Sequence, residues 1–102
     1  MENDTFSALY YEWLLTYKVL ECSKSTIERL HTSYKRYYEN SELADMSVTE
    51  ITPFMLKKFL LTIISKENLN YKAYNAIATI PRQLFEYCIE KELLTENPMD
   101  KV

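Results

Sequence analysis

The chain contains no glycine in 102 residues. This removes most routes to a small sheet protein. Two-residue hairpins need φ > 0 at one or both central positions, and glycine occupies them at no steric cost. Helices joined by short polar loops need far less of that freedom. Only three prolines punctuate the sequence. The expected fold class is all-α.

Length and composition agree. A chain of 102 residues is read as one domain, long enough to bury a core without staples. Hydrophobic residues make up 47% and charged residues 26%, a globular balance rather than a disordered one. No apolar run approaches the roughly 20 residues a bilayer helix needs, so no membrane partner is expected. No basic stretch followed by an apolar one opens the chain, which argues against secretion. Cys22 and Cys88 have no CxxC spacing and no neighbouring His. Both are expected as buried free thiols in a reducing, cytoplasmic setting.

Apolar periodicity marks four helical segments. In the first, residues 5–21, Phe6, Leu9, Tyr10, Trp13, Leu14 and Tyr17 follow the spacing of an amphipathic stripe, with Asp4 or Thr5 as cap and Trp13 as core anchor. Ser25-Thr26-Ile27-Glu28 has the form of a capping box, so the second helix is expected from Thr26 to about Asn40. Its inward stripe is Ile27, Leu30, Tyr34 and Tyr37 or Tyr38. Residues 41–51 read as a polar connection. Thr52 then caps a third helix, with Pro53 at the position where a missing amide costs nothing. Ile51 and Leu56 form its staple. It should run to about Ser65, with Leu56, Phe59, Leu60 and Ile63 inward and Lys57 and Lys58 outward. After a loop over residues 66–70, Asn70 caps the fourth helix, whose stripe is Ala73, Ile77, Ile80, Leu84 and Cys88. Pro81 should kink this helix near Thr79 or split it in two. It should end near Leu94, and Thr95-Glu96-Asn97-Pro98 reads as a stop and a linker.

The net charge of −3 hides a segregated pattern. Residues 1–23 hold Glu2, Asp4, Glu12 and Glu21 against Lys18, a balance of −3. Residues 24–38 hold Lys24, Arg29, Lys35 and Arg36 against Glu28, or +3. Residues 39–56 carry four acids and no base, or −4. Residues 57–84 hold Lys57, Lys58, Lys66, Lys72 and Arg82 against Glu67, or +4, and residues 85–102 return to −3. The two basic blocks fall on the second helix and on the third and fourth. Each carries an outward row at i, i+3, i+7, i+10: Thr26, Arg29, Ser33, Arg36, then Lys72, Asn75, Thr79, Arg82. Both rows are donors or cations without an acid. An ordinary solvated helix face would look similar, but the repetition favours a polyanionic partner.

No constellation reads as catalytic. His31 is the single histidine and sits beside Leu30 on a helix, a structural position more than a general base. No glycine-rich phosphate loop and no metal-ligand spacing occurs. No cofactor is expected, and the nine tyrosines read chiefly as packing, a few being suited to donating to phosphates.

The order of these signals resembles the N-terminal core-binding, SAM-like domain of tyrosine recombinases, the phage-integrase family. The resemblance rests on TFSALYYEWL, STIERLHTSYKRY, SVTEITPFMLKKFL and LNYKAYNAIATIPRQLFEYCIEKELLTENP, in that order, over residues 5 to 98. Phe85, Tyr87, Cys88, Glu90, Leu93, Leu94, Asn97 and Pro98 fill the family's FxYAxExxLIxxNP ending. Cys88 stands where the family has Ala, Pro81 interrupts its long helix, and the glycine before its third helix is missing. The resemblance implies a small four-helix orthogonal bundle over residues 1–98, with 99–102 beginning a linker to a catalytic domain. It implies double-stranded DNA as partner, clamped by this domain and the catalytic domain of the same parent chain, with other recombinase protomers on the same DNA. The catalytic tyrosine would lie in that other domain, so this chain would bind and do no chemistry.

The expected DNA-binding residues lie on the two basic faces. Lys24, Ser25, Thr26, Tyr71 and Lys72 stand at capped helix starts, whose free amides and positive dipole ends suit phosphates. Arg29, Ser33, Arg36, Asn75, Thr79 and Arg82 follow one turn on and beyond, where Arg reads guanine and Asn reads adenine. Lys66 precedes the fourth helix. The alternative from another class is a helical protein–protein interaction module, consistent with the acidic balance and the tyrosine content.

Overall fold

A computed structural model describes residues 4–102, without the side chains of residues 17–19. Glu2 and the side chains of Tyr17 and Lys18 therefore lie outside the described residues. The fold is all-α, as expected from the missing glycine. Its elements are α1 (Phe6–Glu12), a π-helical stretch (Trp13–Lys18), α2 (Val19–Glu21), α3 (Lys24–Tyr37), α4 (Pro53–Glu67) and α5 (Tyr71–Glu90), with short 3₁₀ turns between and after them. The one extended pairing among the described residues is an isolated antiparallel bridge, Thr5 with Ser47. The chain divides into two compact units, Met1–Thr49 and Glu50–Val102.

The first unit is built on aromatic packing. Thr5 caps α1 by accepting from the Ala8 amide at 3.2 Å, which settles the choice between Asp4 and Thr5. Phe6, Leu9, Tyr10, Trp13 and Leu14 are buried as their spacing requires. Tyr10 lies flat against Tyr34, ring centres 3.6 Å apart and planes at 4°. Phe6 stacks on Tyr38 at 5.7 Å. Within α3 the buried set is narrower than its stripe suggested: Tyr34 is buried, with Tyr38 at the cap, while Ile27, Leu30 and Tyr37 are half-buried. The connection over residues 41–51 is not merely polar. Leu43, Ala44 and Val48 are buried on 3₁₀ turns, and the Phe6 amide donates to the Met46 carbonyl at 2.8 Å. Two consecutive short turns hide this core contribution from any helical or strand period.

The second unit follows the sequence closely until its end. Thr52 accepts from the Met55 amide at 3.2 Å and Pro53 opens α4, as its fixed φ favours. Leu56 and Leu60 are buried, Phe59 and Ile63 half-buried. With no glycine to close the helix, Asn68 takes the left-handed conformation, φ 53° and ψ 50°. Its short polar side chain makes it the next best residue there. Asn70 then caps α5 by accepting from the Ala73 amide at 2.8 Å. Pro81 neither splits this helix nor ends it: α5 is one element of 20 residues. The proline is itself buried, with Ile77, Ala78, Ile80, Leu84, Phe85 and Cys88, so packing on that face holds the helix together where the backbone ladder loses a donor.

The last helix stops at Glu90 rather than near Leu94. The Leu93 amide reaches the Cys88 carbonyl and the Glu92 amide reaches Ile89, both at 2.9 Å, a Schellman closure. Glu92 occupies its left-handed position at φ 65°. The stretch read as a linker is docked. Pro98–Lys101 forms a 3₁₀ turn against α4 and α5, and Met99 is buried. Asn97, only 2% exposed, donates through Nδ2 to the Arg82 carbonyl at 3.0 Å and to Glu86 Oε2 at 2.9 Å. Its Oδ1 accepts from the Met99 amide at 2.9 Å.

Candidate nucleic-acid interface

The start of α3 lies earlier than the capping box implied. Ser23, not Ser25, is the cap, accepting from the Thr26 amide at 3.3 Å. Its own backbone is extended, φ −68° and ψ 161°, as an N-cap requires. Two serines two residues apart offer the same chemistry, and the earlier one gains about half a turn of helix. Ser25 and Thr26 consequently sit on the first turn, and Glu28 lies inside the helix instead of reaching back. The Ser23 hydroxyl also stands 3.0 Å from that of Thr26 and 3.4 Å from that of Ser25. Lys24 and Ser25 contribute the amides left at this helix end.

From there Lys24, Ser25, Thr26, Arg29 and Arg36 are exposed, and Ser33 is half-buried. The Arg36 guanidinium lies over the Tyr37 ring, 5.4 Å from its centre, which holds it along the helix surface. On α5, Tyr71 is 79% exposed, Lys72, Asn75 and Arg82 are exposed, and Thr79 is half-buried. The Thr79 hydroxyl donates to the Asn75 carbonyl at 2.8 Å, so its hydrogen is already committed to the backbone. Among the described residues, no carboxylate lies in ion-pair range of Arg29, Lys72 or Arg82. Such cations keep their full charge for an external anion.

The two rows belong to different units, α3 to the first and α5 to the second. Each row is a set within its own helix. Lys66 joins neither. It is not in a loop but in the last turn of α4, where a cation also favours the negative helix end. There it lines a shallow trough with Phe54, Lys57, Lys58, Leu61, Thr62 and Ser65, all from α4. Sequence reading placed Lys57 and Lys58 outward but missed the trough. The signal was present: Phe54 and Leu61, two turns apart, fall off the Leu56–Leu60 stripe.

Behind the α3 row stands a tyrosine–histidine cluster. The Tyr10 hydroxyl and His31 Nδ1 are 3.0 Å apart, and Tyr11 donates to Glu39 Oε1 at 2.6 Å. Burial, then the neighbouring Tyr34, Tyr11 and Glu39, pushes the Tyr10 hydroxyl well above the ordinary phenol range. Tyr11 is pushed up to about 12, first by its hydrogen bond to Glu39. Burial raises Tyr34 as well, partly offset by the nearby Ser7. The Tyr34 hydroxyl is buried without a hydrogen-bonding partner, Ser7 standing outside bonding geometry. His31 is half-buried and packed against Tyr10. Neither cysteine is in a disulfide: Cys88 is a buried thiol, whereas Cys22 is only half-buried. Among the described residues, no group of three or more His, Cys, Asp or Glu could hold a metal ion. No described helix is long and apolar enough to cross a membrane.

No family model matches the chain, and no curated protein does. Among solved structures, a solution NMR structure of fragment 61–160 of a protein from Clostridium leptum is similar. It matches over 97% of this chain and 86% of that one, with 27% sequence identity and a TM-score of 0.75. The likeness supports the all-α fold.

Proposed function

We propose that this chain is a DNA-binding domain of the core-binding type, belonging to a tyrosine-type site-specific recombinase and acting on duplex DNA through α3 and α5. The observation that carries the reading is the pair of rows, each starting at a capped helix N-terminus, in which Arg29, Lys72 and Arg82 are exposed with no carboxylate in ion-pair range among the described residues. Amides and dipole at Lys24–Ser25 and Tyr71–Lys72 suit phosphates. Arg29, Arg36, Asn75 and Arg82 suit base edges or the next phosphates. Chemistry is assigned to a separate catalytic domain of the parent chain.

Titration with duplex DNA at several salt concentrations tests it. Log affinity should fall linearly with log salt, at about −0.9 per phosphate neutralised. Arg29→Glu combined with Lys72→Glu should abolish binding at low salt while leaving the helical circular dichroism unchanged. Absence of binding by the folded wild type, or full binding by that double variant, would reject the reading. A helical interaction module is the second reading, favoured by the exposed Phe54 and Leu61 on α4.

A further inference from the structure

Arg82 and Glu86 stand four residues apart on α5, and both are exposed. On a helix that spacing brings two side chains to one face, and an Arg with a Glu there tends to form an ion pair. The pair is not made. Among the described residues, no carboxylate lies in ion-pair range of Arg82. Glu86 is turned elsewhere: its Oε2 accepts from Asn97 Nδ2 at 2.9 Å. The same nitrogen donates to the Arg82 carbonyl at 3.0 Å, so Asn97 spans the helical turn between the two residues.

Asn97 is itself fixed. It is 2% exposed, and its Oδ1 accepts from the Met99 amide at 2.9 Å. It heads the turn Pro98–Lys101, which packs on α4 and α5. A hydrogen bond from such a buried, oriented amide to a carboxylate outweighs an exposed i, i+4 ion pair. Lys72, the other cation of the α5 row, has no acid three or four residues away. Arg82 is therefore the cation of that row whose charge depends on where a neighbouring carboxylate is held.

We infer that Asn97 is a positioning residue for the α5 row: it holds Glu86 off Arg82 and so leaves the guanidinium open to a phosphate. The identity of that anion rests on the DNA-binding reading; the contact between Asn97 and Glu86 does not. Lifting the last turn from α5 hands Glu86 back to Arg82 and closes that end of the row.

NMR of the folded chain without DNA tests the contact. Asn97→Ser keeps a hydroxyl for the Met99 amide but is too short to reach Glu86. The Arg82 Nε–Hε signal should shift in Asn97→Ser, as the guanidinium pairs with Glu86, and return when Glu86→Gln is added. Glu86→Gln alone should leave that signal in place, since there is no pair to break. A signal unmoved by Asn97→Ser, a shift that Glu86→Gln does not reverse, or a shift in Glu86→Gln alone overturns the inference. Duplex DNA tests the consequence. Asn97→Ser should weaken binding about twofold, the effect of one exposed ion pair. In an Arg82→Gln background, Asn97→Ser should make no difference. Equal weakening with and without Arg82 shows a merely structural role and overturns the inference. Failure of the folded wild type to bind DNA rejects the DNA-binding reading alone, because the signals of the DNA-free protein still decide what Asn97 does.

Discussion

Ser23, Tyr34 and Asn97 show how far a single side chain can outweigh its neighbours. Ser23 satisfies the amide that Ser25 was expected to satisfy. Ser23→Ala should cost about 1 kcal/mol in urea denaturation, the usual worth of an N-cap, whereas Ser25→Ala should change little. Tyr34 keeps its ring at the centre of the aromatic stack while its hydroxyl lies buried and unpaired. Tyr34→Phe keeps the ring and removes the desolvated group, so it should raise stability by about 1 kcal/mol. Asn97 uses both ends of its amide, tying the last turn to α5. Asn97→Ala should cost about 2 kcal/mol in the same assay by leaving buried groups without partners. Asn97→Asp should cost more, because it places a second carboxylate beside Glu86 and removes the donor to the Arg82 carbonyl.

At the scale of elements, the absence of glycine reappears as strain at helix ends. Asn68 and Glu92 hold the two left-handed positions among the described residues. Asn tolerates that region through local hydrogen bonding, but Glu has no such compensation. Glu92→Gly should therefore stabilise the chain by about 1 kcal/mol, read as a higher thermal midpoint, while Asn68→Gly should gain less. Pro81 makes the opposite point. A helix interior proline costs about 3 kcal/mol against alanine in an exposed helix, yet α5 runs through it because its face is buried on both sides of the ring. Tertiary packing overrides propensity there. The sequence could not weigh that packing, which is why a kink or a split was expected; the split does not occur.

For the whole molecule, the raised tyrosines of the first unit should weaken the fold at alkaline pH. The hydrogen bond to Glu39 pushes the Tyr11 hydroxyl up to about 12 against 10.0 for an ordinary phenol, and Tyr10 and Tyr34 are raised too. A folded pKa above the unfolded one means that the neutral hydroxyls contribute fully below about pH 10. For Tyr11 the contribution drains away between about pH 10 and about pH 12. Stability measured by urea denaturation should be flat with respect to these groups below that window and fall within it. Tyr11→Phe should flatten part of that fall, since it removes the titrating partner of Glu39. Absorbance of ionised tyrosine should rise in the same window, together with loss of helical circular dichroism.

The sequence by itself determined the fold class and most of the helix frame. Missing glycine excludes tight hairpins, and the stripes of α1, α4 and α5 are dictated by one buried face per helix. Thr52-Pro53 and Asn70 are local signals, complete within four residues, so they were legible. The outward rows from Arg29 to Arg36 and from Lys72 to Arg82 were legible for the same reason, because what leaves the stripe must face out. Tertiary structure decided the rest. Which serine caps α3, the burial of Leu43, Ala44 and Val48, and the continuity of α5 through Pro81 depend on packing that no local period records. Asn97 is the plainest case. Read along the chain, Asn97-Pro98 is a stop before a linker. Folded, its amide meets the Arg82 carbonyl fifteen residues back. That contact exists only once α5 is formed and the chain has turned onto it.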